Sequence, residues 1–326
     1  MPVALITCLH LQRHFGKYRR QYEDLGVTPL LPEITGQQLS AEEMRAHISG
    51  VDVVIAGDDV VDASVLEAGK ASRLKAVVKW GIGTDGIDKA RAAELGIPVF
   101  NTPGVFSHEV ADLAMSLLLM LARRTHAMHA SVAAGGWLKV EGRSLSGLTA
   151  GVVGLGAIGS EIARRAGAFG MRVLGHDVRV LEDAERRDLG VVQVPFDELL
   201  SASDVVILAC SLTAENRHLM NVDAFGCMKQ GSYLVNVSRG PLVDETALVA
   251  ALADGRLAGA GLDVFEREPL PADSPLRRFE DRCVFTTHSG SNTAEAVARI
   301  NQRTTDILFD VLGVRSASGF VPNRVA

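Results

Sequence analysis

Cysteine is scarce in this sequence. Its 4 residues, Cys8, Cys210, Cys227 and Cys283, stand far apart and include no C-x-x-C pair, which excludes a dense disulfide framework and a zinc site of the familiar spacing. No other grouping of histidine, cysteine and carboxylate has metal-ligand spacing, so no metal is expected. Long apolar runs are missing as well: Leu113 to Leu121 is closed by Asp112 and by Arg123–Arg124, short of the roughly 20 residues that a bilayer requires. The start, Met1 to Thr7, carries no basic segment of the kind that opens a signal peptide. No membrane partner is expected, and the cysteine usage fits a reducing, cytoplasmic location. Positive charge is in deficit, with 33 Lys and Arg against 39 Asp and Glu, and no Lys/Arg run forms a basic stripe. That argues against nucleic acid as a partner.

What is present describes a globular α/β protein. At 326 residues the chain exceeds one compact core, so two domains are expected. Val3 to Thr7 is apolar and β-branched, and Leu11, Phe15, Tyr18, Tyr22 and Leu25 then recur at helical steps, which predicts one strand followed by one amphipathic helix. Further strands are expected at Val51–Ala56, Ala76–Val78 and Pro98–Phe100, with helices between them. A second series of apolar runs begins at Ala150 and continues through Arg172–Gly175, Val191–Val194, Val205–Ala209, Tyr233–Val237, Gly259–Asp263 and Cys283–Thr286. Such alternation means parallel sheets covered by helices. Thr293–Leu312 reads as a long helix with no sheet left in its own half, so the chain is expected to return to the first domain. The resulting division is 1–102 with 293–326 for one domain and 103–292 for the other.

The second series opens on Gly154-Leu155-Gly156-Ala157-Ile158-Gly159, placed between an apolar strand and a helical stretch. In that context Gly154 permits the tight turn and Gly156 lets the backbone approach a pyrophosphate. Gly159 allows close helix packing, and the amides of Ala157 and Ile158 face the diphosphate. Asp177 ends the next strand about 20 residues on, where a carboxylate accepts from ribose hydroxyls and repels a 2′-phosphate. The cofactor is therefore expected to be NAD, with Arg179 the one nearby residue able to pair with the phosphate of NADP.

Three later segments each follow an apolar strand: Asn236 to Gly240, Gly261 to Pro269, and Thr287 to Asn292. Loops at the carboxyl ends of neighbouring parallel strands converge, which brings Arg239, Glu268 and His288 into one candidate site. Reduction of a 2-oxo acid needs a hydride, a proton and a cation for the carboxylate. His288 suits the proton, Glu268 would hold its second ring nitrogen, and Arg239 offers a permanently charged fork for a carboxylate. Lys79 ends a strand beside the next glycine-rich loop, where it either adds positive charge or is a solvated strand-end residue.

Taken together, Lys79-Trp80-Gly81-Ile82-Gly83-Thr84-Asp85-Gly86-Ile87-Asp88, Asn101-Thr102-Pro103-Gly104, the glycine motif and the three segments resemble the D-isomer-specific 2-hydroxyacid dehydrogenases, in particular their phosphoglycerate dehydrogenase-like branch. The resemblance covers nearly the whole chain. It implies a Rossmann dinucleotide-binding domain plus a flavodoxin-like substrate domain, both with parallel sheets. It also implies Arg239, Glu268 and His288 as catalytic triad, and substrate carboxylate on the amides around Ile82 and Gly83. Asp263 is implied at the nicotinamide carboxamide, and Cys210, Val237, Ser238 and Ser289 along the cofactor cleft. Family members are usually dimers built around a helix that corresponds here to Val110–Arg123. Asp58 and Asp59 stand where phosphoglycerate enzymes place an arginine, and two negative charges there disfavour a phosphorylated substrate. The expected function is thus NAD-dependent interconversion of a small D-2-hydroxy acid and its 2-oxo acid. The alternatives are phosphoglycerate dehydrogenase activity and an NAD(H)-sensing interaction protein of the corepressor type, whose fold is also similar.

Overall fold

The computed structural model describes residues 1–315 and 322–326. The chain divides into two compact units, Met1–Val105 with Asn292–Ala326, and Phe106–Ser291. The first unit holds strands β1 (Val3–Ile6), β2 (Thr28–Leu30), β3 (Val53–Ala56), β4 (Ala76–Lys79) and β5 (Val99–Asn101). The second holds β6 (Thr149–Val153), β7 (Arg172–His176), β8 (Val191–Gln193), β9 (Val205–Leu208), β10 (Ser232–Asn236), β11 (Leu257–Leu262) and β12 (Cys283–Phe285). A last strand, β13 (Asn323–Arg324), belongs to the first unit again.

In the first unit the strands run in the order β13-β5-β4-β3-β1-β2. Strands β1 to β5 pair in parallel, and the order 2-1-3-4-5 is that of flavodoxin-like folds. β3 and β4 are buried along their whole length, as strands covered by helices on both faces must be. One correction to the all-parallel expectation is β13, which pairs antiparallel with β5 through Asn323 opposite Asn101. Two residues carry no periodic signal, but they suffice to cover part of an exposed sheet edge.

A second correction concerns the helix expected across Leu11 to Leu25. The chain forms helices Leu9–His14 and Arg19–Asp24 separated by a 3-10 turn, Phe15–Lys17. Gly16, a poor helix former, sits in that turn. The apolar positions still meet the core: Tyr22 is fully buried and its ring lies 4.9 Å from that of Phe309. Phe309 comes from the long helix Ala294–Val311, which Thr293 caps by accepting the Ala296 amide at 3.1 Å.

The second unit is a fully parallel seven-stranded sheet in the order β12-β11-β10-β9-β6-β7-β8. Strand order reverses between β6 and β9, which creates the crevice where ligands of such sheets collect. Leu199, Val206, Leu208, Leu234, Leu248 and Leu262 form part of the core beneath it. Helix Ser107–Arg123 buries one apolar stripe, whereas the next helix, Thr125–Ala133, buries no residue and has no apolar periodicity that would have revealed it.

One buried charge holds the start of the first sheet. Asp52, 1% exposed, accepts the Val3 amide at 2.8 Å and pairs with Arg73 at 2.5 Å and Lys75 at 3.2 Å. Burial alone would raise its pKa, but the Val3 amide and the two cations outweigh burial and hold it below the usual aspartate range. Its stabilisation is therefore present at neutral pH and lost as pH falls through the depressed folded-state value. Asp52→Ala is expected to cost about 2 kcal/mol at pH 7, read from urea unfolding, and the gap to the wild type should narrow as unfolding is repeated at successively lower pH.

Candidate active site

The glycine turn forms the floor of the crevice. Gly154, at φ +91°, leaves β6, and helix Ala157–Ala168 begins immediately after Gly156. A Cβ on Gly159 would overlap the Gly154 carbonyl oxygen, whereas one on Gly156 would enter open space with nothing within 4 Å. The first contact requires glycine for packing. The second leaves the room that a diphosphate needs above the helix N-terminus, so the residues present fit a dinucleotide.

Asp177 follows β7 and is locked against the same turn, accepting the Leu155 amide at 2.6 Å and the Arg179 amide at 2.9 Å. The Arg179 guanidinium turns instead to Glu185, with two bonds of 2.8 Å. That bidentate pairing occupies the one side chain that would otherwise answer a 2′-phosphate, which favours NAD. Cys210 follows β9, and a Cβ on Gly154 would lie 2.5 Å from its amide nitrogen, so the two loops touch through backbone. Burial pushes the Cys210 thiol up to about 11, which keeps it neutral. The Ser238 hydroxyl donates to the Cys210 carbonyl, and Val237 beside it is buried.

Arg239, Glu268 and His288 follow β10, β11 and β12, three adjacent strands of one sheet. His288 Nδ1 and Glu268 Oε2 are 2.8 Å apart, and both side chains are only partly exposed. The Glu268 carboxylate also accepts the Phe265 amide through Oε1 at 3.0 Å. His288 adopts φ +52°, a backbone region that costs a non-glycine residue about 1–3 kcal/mol and is tolerated where neighbours enforce it. The enforcement comes from Asp263, whose carbonyl accepts the His288 amide at 2.7 Å. Its carboxylate, 1% exposed, accepts Thr286 Oγ1 at 2.6 Å, the Ser289 amide at 2.8 Å and the Gly290 amide at 3.0 Å.

Reading the sequence alone missed Asn236 as an anchor. Fully buried at the end of β10, it accepts the Ser238 amide at 3.0 Å and donates to the Arg239 carbonyl at 2.9 Å. A polar amide closing the apolar run Tyr233–Val235 is the signal that could have found it.

In the first unit, Ile82 and Gly83 lie on the loop after β4. Asn101 Nδ2 donates to the Ile82 carbonyl at 2.8 Å, and Gly81 and Thr102 bond through their backbones at 3.0 Å. Trp80 is buried, stacked on His10 with centroids 4.9 Å apart, and donates to Asn301 Oδ1 at 2.7 Å. The solvated reading of Lys79 is corrected: it is 6% exposed and donates to Asp58 at 2.8 Å and to the Gly57 carbonyl. The charge argument at Asp58 and Asp59 is corrected with it. Asp58 is paired with Lys79, and Asp59 points inward to Thr7 Oγ1, the Leu39 amide and the Gly57 amide. The pair therefore does not present two carboxylates to a ligand.

Comparison with known proteins decides the family. The sequence profile described as D-isomer specific 2-hydroxyacid dehydrogenase, NAD binding domain, matches residues 115–290. The chain belongs to that family. It is 40% identical over 287 residues to a hydroxypyruvate reductase from Thermotoga maritima, covering 86% of this chain and 92% of that one. It is 43% identical over 248 residues to a glyoxylate reductase from Korarchaeum cryptofilum, 74% of each. Among solved structures, a D-lactate dehydrogenase from Aquifex aeolicus complexed with NAD and lactic acid superposes with a TM-score of 0.84 at 28% identity, covering 95% of each chain. This 2-hydroxyacid dehydrogenase is thus an NAD-dependent oxidoreductase acting on CH–OH groups. Among the described residues no helix is long and apolar enough to cross a membrane, and no cluster could hold a metal ion.

If Asp177 reads the adenosine ribose, Asp177→Ala should weaken NADH binding about ten-fold, or ~1.4 kcal/mol. Quenching of protein fluorescence on NADH titration measures it, and unchanged affinity would remove Asp177 from that role.

Proposed function

We propose that this dehydrogenase interconverts a small unphosphorylated 2-oxo acid, of the glyoxylate or hydroxypyruvate kind, with its D-2-hydroxy acid. The observation that carries the reading is the 2.8 Å pair between His288 Nδ1 and Glu268 Oε2. A histidine so paired keeps its Nε2 position for a proton to be given and recovered, and the carboxylate behind it stabilises the imidazolium. The choice of acid is supported by the relatives whose names are hydroxypyruvate reductase and glyoxylate reductase.

Bound NADH supplies the hydride, and the chain does the rest. Arg239 holds the substrate carboxylate and draws electron density from the adjacent carbonyl. In the proposed substrate domain, 1–102 and 293–326, the amides of Ile82 and Gly83 are the proposed donors to a substrate carboxylate. Lys79 acts there through Asp58, by fixing the loop next to the Ile82 segment. His288 Nε2 gives its proton to the carbonyl oxygen as the alcohol forms, and in the reverse direction removes it. Cys210, Val237, Ser238, Asp263 and Ser289 border the nicotinamide end of the proposed 103–292 cofactor domain, with Asp263 also anchoring the histidine loop.

A second copy of the chain is the proposed partner. Trp137 at 78%, Val132 at 53% and Leu138 at 44% exposure are apolar side chains left open on the segment that follows helix Ser107–Arg123, and a second copy would cover them. The 4 cysteines are all free, which suits a reducing cytoplasm.

With NADH and a panel of 2-oxo acids, turnover is expected for glyoxylate or hydroxypyruvate, and none across the whole panel would sink the reading. His288→Ala should lower kcat by about 100-fold or more while NADH affinity stays within about two-fold. Equal activity in that variant would remove His288 from proton transfer.

A further inference from the structure

Glu268 does not stand alone on its turn. Glu266, two residues earlier, faces His218, whose Nε2 meets Glu266 Oε1, and Arg217 lies 3.8 Å from the same oxygen. A third carboxylate, Glu245, comes from a different element and accepts the Glu266 amide through Oε1 at 2.8 Å. Since Glu268 Oε1 accepts the Phe265 amide at 3.0 Å, the two successive amides of the turn end on two glutamates, one inside the turn and one outside it.

The base from which Glu245 reaches is rigid. It is the first residue of helix Glu245–Ala253, and Asp244 caps that helix by accepting the Thr246 amide at 2.9 Å and the Ala247 amide at 3.1 Å. The same segment touches the Phe265–Glu266 peptide a second time. A Cβ on Gly240 would overlap the carbonyl carbon and oxygen of Phe265, so the backbone that follows Arg239 lies flat against the peptide that precedes Glu266. The stretch from Arg239 to Glu245 therefore braces the Phe265–Glu268 turn at one peptide unit, Phe265–Glu266, which Gly240 packs against and whose amide Glu245 accepts.

We propose that Glu245 is a positioning residue for the reaction: by holding the Glu266 amide it fixes the turn that aims Glu268 Oε2 at His288 Nδ1. The proposal rests on the reading of His288 as proton donor. Burial pushes the Glu245 carboxyl above its ordinary range against the pull of the Glu266 amide, and the charges of Glu266 and Glu268 add to the rise. Around it the charged groups are Glu266 with its partners His218 and Arg217, and Glu268 with His288. Arg277, on the 3-10 turn packed beside this helix, is directed to the carbonyls of Leu270 and Pro271. The carboxyl thus works as a hydrogen-bond acceptor at a fixed distance, a task that an amide oxygen performs equally well and a side chain one methylene shorter does not.

The test compares Glu245→Gln, Glu245→Asp and Glu245→Ala in the full chain with two readouts. The first is the titration midpoint of the His288 imidazole by NMR, assigned with His288→Ala, which needs no turnover. The second is kcat and KM with NADH and glyoxylate. Glu245→Gln is expected to keep the His288 midpoint and a kcat within about three-fold of the wild type. Glu245→Asp and Glu245→Ala should lower the midpoint by about half a unit or more, because a misaimed Glu268 stabilises the imidazolium less. They should also lower kcat about ten-fold with KM for NADH unchanged. Wild-type midpoints in the Asp and Ala variants would overturn the proposal, as would equal losses in all three variants or a failure of all three to fold. Absence of turnover in the wild type would sink the proton-donor reading instead, while the midpoints would still decide the positioning of Glu268.

Discussion

An imidazole that passes protons in a crevice must have its other ring nitrogen held, because a freely rotating ring presents the wrong atom most of the time. In this chain the hold is the 2.8 Å contact between Glu268 Oε2 and His288 Nδ1, and much of the surrounding structure restrains one of those two residues. On the histidine side the restraint is Asp263, whose buried carboxylate and carbonyl together accept the Thr286 hydroxyl and the amides of His288, Ser289 and Gly290 and hold His288 in a left-handed backbone. On the glutamate side it is the Phe265 amide, with Glu245 and Gly240 bracing the turn from outside. A contact of this kind is worth little as a surface ion pair. Its value lies in orientation, which the parallel sheet makes possible by delivering β10, β11 and β12 side by side.

The same sheet explains why the cofactor crevice and the residues proposed to transfer the proton occur together. Strand order reverses between β6 and β9, so the glycine turn after β6 and the Cys210 loop after β9 open a crevice, and β10 continues outward from it toward β11 and β12. A diphosphate over the helix that begins at Ala157 and a nicotinamide nearer to β10 would lie along this line. Asp177 and Arg179 set the other end. One carboxylate is fixed by two backbone amides, and the arginine is paired with Glu185 six residues on, so an aspartate that reads the ribose would have no competing cation left beside it.

Features generated by a residue's own neighbours in sequence were legible without coordinates. The apolar runs of both sheets, the glycine turn and the polar residues that directly follow strands belong to this class, whereas the flavodoxin-like and Rossmann pairing of folds, which the strand orders show, was implied by the family resemblance. Features generated across the fold were not. Nothing local marks Asp263 as the anchor of a loop more than twenty residues later. The two-residue β13 has no period to detect, and a break at Gly16 leaves the spacing of apolar side chains intact while dividing the helix that carries them.

Charge read from sequence failed in a specific way, and the reason is general. Asp58 and Asp59 look like two negative charges at the mouth of the first unit, yet one is matched by Lys79 and the other is turned inward onto a hydroxyl and two amides. Lys79 in turn looks like a free cation and is a buried partner. Formal charge counts what a residue carries, whereas a ligand responds to what remains after the protein has paired its own groups. The discrimination against a phosphorylated acid that two open carboxylates would supply is therefore not available from this pair. What the loop after β3 presents is a carboxylate and an ammonium already matched to each other, so its formal charges predict neither repulsion nor attraction of a phosphate.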